Sequence, residues 1–191
     1  ETALSHCSAA NLNLISTSTS GHIDVYTTTA DDFILMTNTH VYMEAETITF
    51  IATQSSYFPS LTIQSVYGVV FESTSSLSSG VDDVILHGGS GSQCIVHQGV
   101  DWTVYDHLTI DECTWYVYVG GSSASNASST WSAGGGIDIG STVYLLAVDD
   151  ATSSAAGTFN LMADANNVGG GSSGVGQLRI LNSAFLEVRA T

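Results

Sequence analysis

From His22 onward, the sequence alternates short runs of β-branched and aromatic residues with short groups of Ser, Gly, Asp and Asn. The runs favour strands and the groups between them favour turns. The densest run extends from Asp101 to Gly121 and contains Trp102, Trp115 and Tyr116. Turn signals recur at intervals of roughly 8 to 12 residues, and no segment combines helical spacing with helix caps. The sequence therefore predicts an all-β protein of about a dozen short strands.

The strand pattern is typical of a single-domain β-sandwich or jelly roll. No internal repeat of 20 to 50 residues is evident. Within the densest run, alternation places Trp115 and Val117 on the core side of a strand and Tyr116 and Tyr118 on the other side. The low-complexity stretch Gly120–Gly136 is predicted to be a surface loop.

The N-terminal segment differs from the rest of the chain. Residues 11–15 have the sequence NLNLI, in which Leu12 and Leu14 alternate with asparagines and Ile15 follows. A flexible STSTSG stretch comes next. We therefore divide the chain into residues 1–20, a strand and linker, and residues 21–191, the β body. The strand either leaves its own body and adds to another subunit or is simply the first strand of its own sheet.

The charge balance excludes several classes of partner. The chain has 18 acidic residues, 2 basic residues and a formal net charge of −16. Nucleic acid binding depends on Lys and Arg, so nucleic acid is excluded as a partner, and anionic membrane surfaces are disfavoured. No apolar run approaches the ~18 residues of a membrane span. A polar surface built from Ser, Thr, Asn and Gly is typical of the cell exterior, so we expect an extracellular location.

The three cysteines, Cys7, Cys94 and Cys113, have no zinc-site spacing. Outside the cell we expect Cys94 and Cys113, which lie near the starts of neighbouring strands, to form a disulfide. Asn126-Ala127-Ser128 is an N-glycosylation sequon within the predicted surface loop. Asn126 is therefore a candidate glycosylation site.

Several aspartates lie where predicted strands meet turns, and they are candidate calcium ligands. These residues are Asp31, Asp32, Asp82, Asp83, Asp149, Asp150 and Asp164. The alternative is that they are solvated turn residues, because Asp favours turns in any case. No cofactor is expected to be required, with calcium as an optional ligand.

Two further patterns contain residue types that carry chemistry in other proteins. His87, His97 and His107 recur at ten-residue intervals, so pairing of strands would bring two of them together as zinc ligands, although isolated sheet histidines are the simpler interpretation. Asp106-His107 has the residue types of an oriented general base. No complete catalytic set accompanies it, and we predict that the protein is not an enzyme.

These observations predict an extracellular structural subunit that assembles with copies of itself, by β-strand addition, into a filament or surface layer. Strand edges are normally blocked by lysine, proline or charge, and this chain has no lysine and the single proline Pro59. One alternative is a viral coat, fibre or decoration protein. Another is a carbohydrate-binding module that uses Trp131, Tyr116 or Tyr118 as stacking platforms.

Overall fold

The structure is a computed structural model, and it describes residues 8–120, 128–140, 142–149, 157–164, 177–180 and 185–189. Nearly all regular structure in these ranges is β. The strands form three sheets, which we call sheets A, B and C, and every strand pair within them is parallel.

Within the described ranges, sheets A and B have seven strands each and sheet C has five. Sheet A contains β1 (Asn11–Ile15), β3 (His40–Ala45), β6 (Ser60–Ser65), β9 (Val84–His87), β12 (Leu108–Asp111), β15 (Ile137–Ile139) and β18 (Leu178–Ile180). Sheet B contains β2 (His22–Val25), β4 (Thr47–Phe50), β7 (Val69–Phe71), β10 (Gln93–Val96), β13 (Thr114–Val119), β16 (Tyr144–Asp149) and β19 (Phe185–Arg189). Sheet C contains β5 (Ser55–Phe58), β8 (Ser76–Ser79), β11 (Asp101–Val104), β14 (Ser129–Ala133) and β17 (Phe159–Ala163).

Successive strands belong to different sheets, so the chain winds through A, B and C and then returns to A beside its previous pass. We call one such pass a rung. This architecture is a parallel β-helix, or β-solenoid. The predicted β-sandwich or jelly roll is therefore wrong, because those folds are built from antiparallel strands.

The N-terminal strand belongs to the same solenoid. β1 pairs in parallel with β3 of its own chain, with Asn11 opposite His40 and Ile15 opposite Glu44. Of the two alternatives for this segment, the structure has the first strand of its own sheet and not an exchanged strand, and β1 occupies the first rung of sheet A.

The rungs differ in length. The offset between paired residues in sheet A is 29 for Asn11 opposite His40, 20 for His40 opposite Ser60 and 41 for Ile137 opposite Leu178. The repeat is therefore spatial and not a fixed period in sequence, which explains why no repeat is evident from the residues alone. The predicted loop Gly120–Gly136 contains β14, which pairs with both β11 and β17.

The interior is a set of columns in which equivalent residues of successive rungs stack. Trp102 and Trp131 stack in sheet C with ring centroids 3.8 Å apart, and Phe50 and Phe71 stack in sheet B at 4.3 Å. Trp115 meets both tryptophans edge-on and is fully buried, as its alternation in β13 predicts. The three tryptophans thus meet in one aromatic cluster at the centre of the solenoid.

A short 3-10 helix, Ala30–Phe33, lies between β2 and β3, where later rungs have a sheet C strand. Phe33 packs edge-on against Phe58 of β5 with centroids 5.7 Å apart. Thr28 just before the helix donates its N–H to Ser55 O and accepts the N–H of Tyr57. These contacts cover the first strand of sheet C.

Candidate functional site

A cluster of polar residues lies at the corner where sheet C leads into sheet A. Asp83 immediately precedes β9, and Asp106 and His107 immediately precede β12. Val84 of β9 pairs with Leu108 of β12, so the residues just before these two strands come together on adjacent rungs. The register of a parallel sheet thus brings side chains together that are 24 positions apart for Asp83 and His107 (107 − 83).

The three side chains are in close contact. His107 Nδ1 lies 2.9 Å from Asp106 Oδ1 and 3.9 Å from Asp83 Oδ1. Asp83 Oδ1 also accepts the backbone N–H of His107 at 2.9 Å. One nitrogen or oxygen atom from each residue lies within 4.8 Å of the other two, which brings three side chains of metal-ligating type together.

The cluster is half-buried, and its three side chains differ in solvent exposure. The Asp106 side chain is 5 % exposed, that of His107 25 % and that of Asp83 43 %. Burial raises the pKa of Asp83 above its usual value, and the hydrogen bond from the His107 backbone only partly offsets this. The corner therefore favours neutralisation of the Asp83 carboxylate, by a proton or by a cation.

Two glycines of the next rung lie over the cluster. A Cβ built at Gly135 would collide with Asp106 Oδ1 and would lie 2.9 Å from His107 Nδ1. A Cβ at Gly136 would lie 3.1 Å from His107 Nε2. Only glycine at both positions leaves the imidazole and the carboxylate in their present places.

A second polar pair lies in the same column of sheet A. His40 Nδ1 is 2.7 Å from Ser60 Oγ, and this oxygen is 3.3 Å from the carbonyl oxygen of Asp83. Ser60 is 7 % exposed. The column therefore places Ser60 beside His40. His107 contacts Asp83 and Asp106, and the Asp106–His107 pair suggested as a general base is present in the structure.

The described aspartates among those predicted to bind calcium lie in several separate places. Asp31 and Asp32 lie in the 3-10 helix, and Asp32 Oδ2 accepts both the N–H and the hydroxyl of Thr29, at 2.7 and 3.0 Å. Asp82 and Asp83 lie at the corner before β9, and Asp83 belongs to the cluster. Asp164 follows β17, with its N–H donated to Gly135 O. Asp150 and the side chain of Asp149 lie outside the described residues.

Two of the three histidines His87, His97 and His107 would meet as zinc ligands if strand pairing brought them together, but each has different neighbours. His87 Nδ1 lies 3.8 Å from Asp111 Oδ2 on the outer face of sheet A. His97 follows β10 of sheet B and stacks on Tyr118 with ring centroids 5.8 Å apart. Within the described residues, His107 alone of the three joins a group with the spacing of a metal site, and its partners are aspartates.

Cys94 of β10 and Cys113, just before β13, form a disulfide with their Cα atoms 6.2 Å apart. The bond joins adjacent rungs of sheet B, because Cys94 pairs with Trp115 in the sheet register. Gly88 makes room for it, since a Cβ there would collide with Cys94 Sγ and lie 2.6 Å from Cys113 Cβ. Cys7 and the sequon at Asn126 lie outside the described residues.

The aromatic residues suggested as carbohydrate platforms divide into two groups. Trp131 is fully buried, so it cannot stack on a sugar, and this part of the prediction is wrong. Tyr116 and Tyr118 face outward on sheet B and are partly buried. Val70 and Ile95 share their ladder with Tyr116, so the outer face of sheet B is more apolar than that of sheet A.

The strand edge at the first rung is the second feature of functional interest. Among the described residues, β1 pairs with β3 and has no strand on its other side. The Ser16 N–H donates to Glu44 O, and Ala10 O accepts from His40. Because backbone groups of successive residues in a strand point to alternate sides, Asn11, Asn13 and Ile15 direct theirs to the open edge.

Sequence reasoning treated the members of the polar corner separately. A signal for joining them exists in the shared pattern of Asp82-Asp83-Val-Ile-Leu and Asp106-His107-Leu-Thr-Ile. In each, two polar residues precede three β-forming residues. Recognising them as successive rungs would have aligned Asp83 with His107.

The described part of the chain contains no helix with the length and hydrophobicity of a bilayer span. Comparisons with protein-family models, with curated proteins and with solved structures found no significant match.

Proposed function

We propose that this protein is an extracellular structural subunit, without catalytic activity, whose copies join by β-strand addition at the ends of the solenoid. The observation that carries the proposal is the open edge of β1, among the described residues, in a sheet whose strands are all parallel. A solenoid extends by adding strands to its last rung, so a second copy uses the same hydrogen-bond geometry that joins rungs within one chain.

The first strand of sheet A, β1, lacks the residues that usually prevent such pairing. β1 has the sequence NLNLI, without a charged residue or proline. Leu14 is 38 % exposed and Ile15 52 % exposed, although Leu14 is in register with the buried Met43 of the next rung. An added strand would bury this apolar surface and pair the outward backbone groups of Asn11 and Asn13.

The three sheets differ in how their first strands are covered. The first strand of sheet C, β5, exchanges hydrogen bonds with Thr28, and Phe33 of the 3-10 helix packs beside it. Sheet A has no comparable cover among the described residues. The first strand of sheet B, β2, also has an open edge among the described residues, but it contains Asp24, and charge disfavours edge pairing. Strand addition is therefore expected to begin on sheet A.

Net charge sets the conditions for assembly. With a formal charge of −16, copies repel one another at low ionic strength. Salt at about 0.15 M shortens the Debye length to about 8 Å and weakens this repulsion. Assembly is expected to increase with salt, and equally with sodium and potassium, because screening requires no specific site.

Substitution of Asn13 tests the edge directly. Asn13→Pro removes an N–H that points to the open edge while leaving the bonds of β1 to β3 intact, since proline is tolerated on edge strands. Asn13→Ala is the matched control, because it removes the same side chain and keeps the N–H. We expect the wild type and Asn13→Ala to form filaments by negative-stain imaging, and Asn13→Pro to stay a folded monomer.

Three results would contradict the proposal. In the first, Asn13→Pro assembles as the wild type does. In the second, the wild type remains monomeric by light scattering at every salt concentration. In the third, it forms a closed trimer, which would instead favour the coat, fibre or decoration protein, since closed symmetry consumes both ends.

A further inference from the structure

We propose that Asp83, Asp106 and His107 bind a divalent transition metal ion, with zinc the best match, at the corner between sheets C and A. The proposal rests on the geometry and donor types of these three side chains. It does not depend on assembly, because the corner lies beside β9 and β12, away from the open edge of β1.

The distances between donor atoms fit a four-coordinate ion. Zinc bonds of about 2.0 to 2.1 Å to nitrogen and oxygen in a tetrahedron place neighbouring donors about 3.3 Å apart. The observed separations from His107 Nδ1, 2.9 Å to Asp106 Oδ1 and 3.9 Å to Asp83 Oδ1, lie on either side of this value. Side-chain shifts of less than about 1 Å would satisfy both.

The framework already fixes the donors. Asp106 is almost fully buried, and its contact with His107 Nδ1 holds the carboxylate beside the imidazole. The backbone N–H of His107 holds Asp83 Oδ1, and Gly135 and Gly136 define the position of the imidazole. A metal would therefore meet donors from two rungs that need little reorganisation.

The donor set selects the kind of metal. Calcium takes six to eight oxygen ligands, whereas this corner offers one imidazole and two carboxylates. Imidazole nitrogen favours zinc and related ions over calcium or magnesium. Three protein ligands leave one tetrahedral position for water, and coordination through His107 Nδ1 requires the imidazole proton to lie on Nε2.

Cobalt(II) absorption tests the site, because tetrahedral cobalt has intense visible bands and octahedral cobalt in solution does not. The protein is first treated with chelator, in a Cys7→Ser background that removes the one cysteine outside the Cys94–Cys113 disulfide as a competing ligand. We expect saturable visible absorption at one equivalent of cobalt, displacement of cobalt by zinc, and no displacement by equimolar calcium.

Two substitutions assign the binding to this corner. Asp83→Asn keeps an oxygen that accepts the His107 N–H but removes a charged ligand, and we expect zinc affinity to fall by at least about tenfold. Asp111→Asn, beside His87, is the matched control and should change affinity by less than about twofold. Absence of saturable absorption in the wild type, or equal losses in the two variants, would overturn the proposal.

Discussion

At the residue scale, the interior contains three buried indole N–H donors without acceptors among the described residues. The indole nitrogens of Trp102, Trp115 and Trp131 are buried, and none has a hydrogen-bond partner among the described residues. Each such donor costs on the order of 1–3 kcal/mol. The large apolar area of three mutually packed rings offsets that cost, since each aromatic side chain buries about 150–250 Å².

Replacement of Trp131 separates these two contributions. Trp131→Ala removes the ring that stacks on Trp102 and is expected to lower the free energy of unfolding by about 3–5 kcal/mol. Trp131→Phe keeps much of the stacking and removes the unpaired N–H, so its loss should be less than half as large. Urea denaturation followed by circular dichroism measures both, and equal losses would show that the ring is not the stabilising part.

Alternation within one strand was predictable from the residues. Trp115 and Val117 of β13 are buried as expected, because period-two alternation depends only on neighbours in sequence. Trp131 was not predictable in the same way. It lies between Ser and Thr residues in a low-complexity stretch, and its burial depends on stacking against Trp102, 29 positions earlier (131 − 102).

At the scale of elements, most strands were predictable and their partners were not. A run of β-forming residues has the same local signature in an antiparallel sandwich and in a parallel solenoid. A single β-forming stretch of sequence can contain two strands with a corner between them, as in residues 61–71, which span parts of β6 and β7. Short corners and varied rung lengths conceal the parallel arrangement.

The cysteine pair links two elements, and its contribution is measurable. The disulfide closes a loop with a sequence separation of 19 residues, for which the chain-entropy relation gives about 3 kcal/mol. Cys94→Ala with Cys113→Ala should lower the unfolding free energy by about this amount. Peptide mapping under non-reducing conditions should recover the Cys94–Cys113 peptide, and a Cys7 bridge to either residue would contradict the pairing.

At the scale of the whole molecule, the solenoid is modular along its axis. Each rung contacts chiefly its neighbours, so removal of one complete rung should allow the remaining rungs to stack. Leu61 and Val84 are in register, which makes residues 61–83 one full rung that starts and ends at equivalent points.

Deletion of residues 61–83 is therefore expected to yield a folded protein with a cooperative transition at a lower denaturant midpoint. Deletion of residues 61–72 is the matched control, because it removes part of a rung and interrupts the order of sheets A, B and C. We expect that variant to lose cooperative unfolding by circular dichroism. Similar behaviour of the two deletions would contradict the modular description.

The disulfide also changes how the molecule would respond to mechanical load. Hydrogen bonds between rungs run along the solenoid axis, so tension applied at the two ends peels strands away one after another. The bond between Cys94 and Cys113 connects one rung to the next, so the loop between them cannot be extended while the bond is intact. At about 3.4 Å per extended residue, a loop with a sequence separation of 19 hides about 65 Å of chain. Unfolding of a stretched subunit would thus halt at the disulfide near its middle, and reduction of the disulfide would allow the loop to extend.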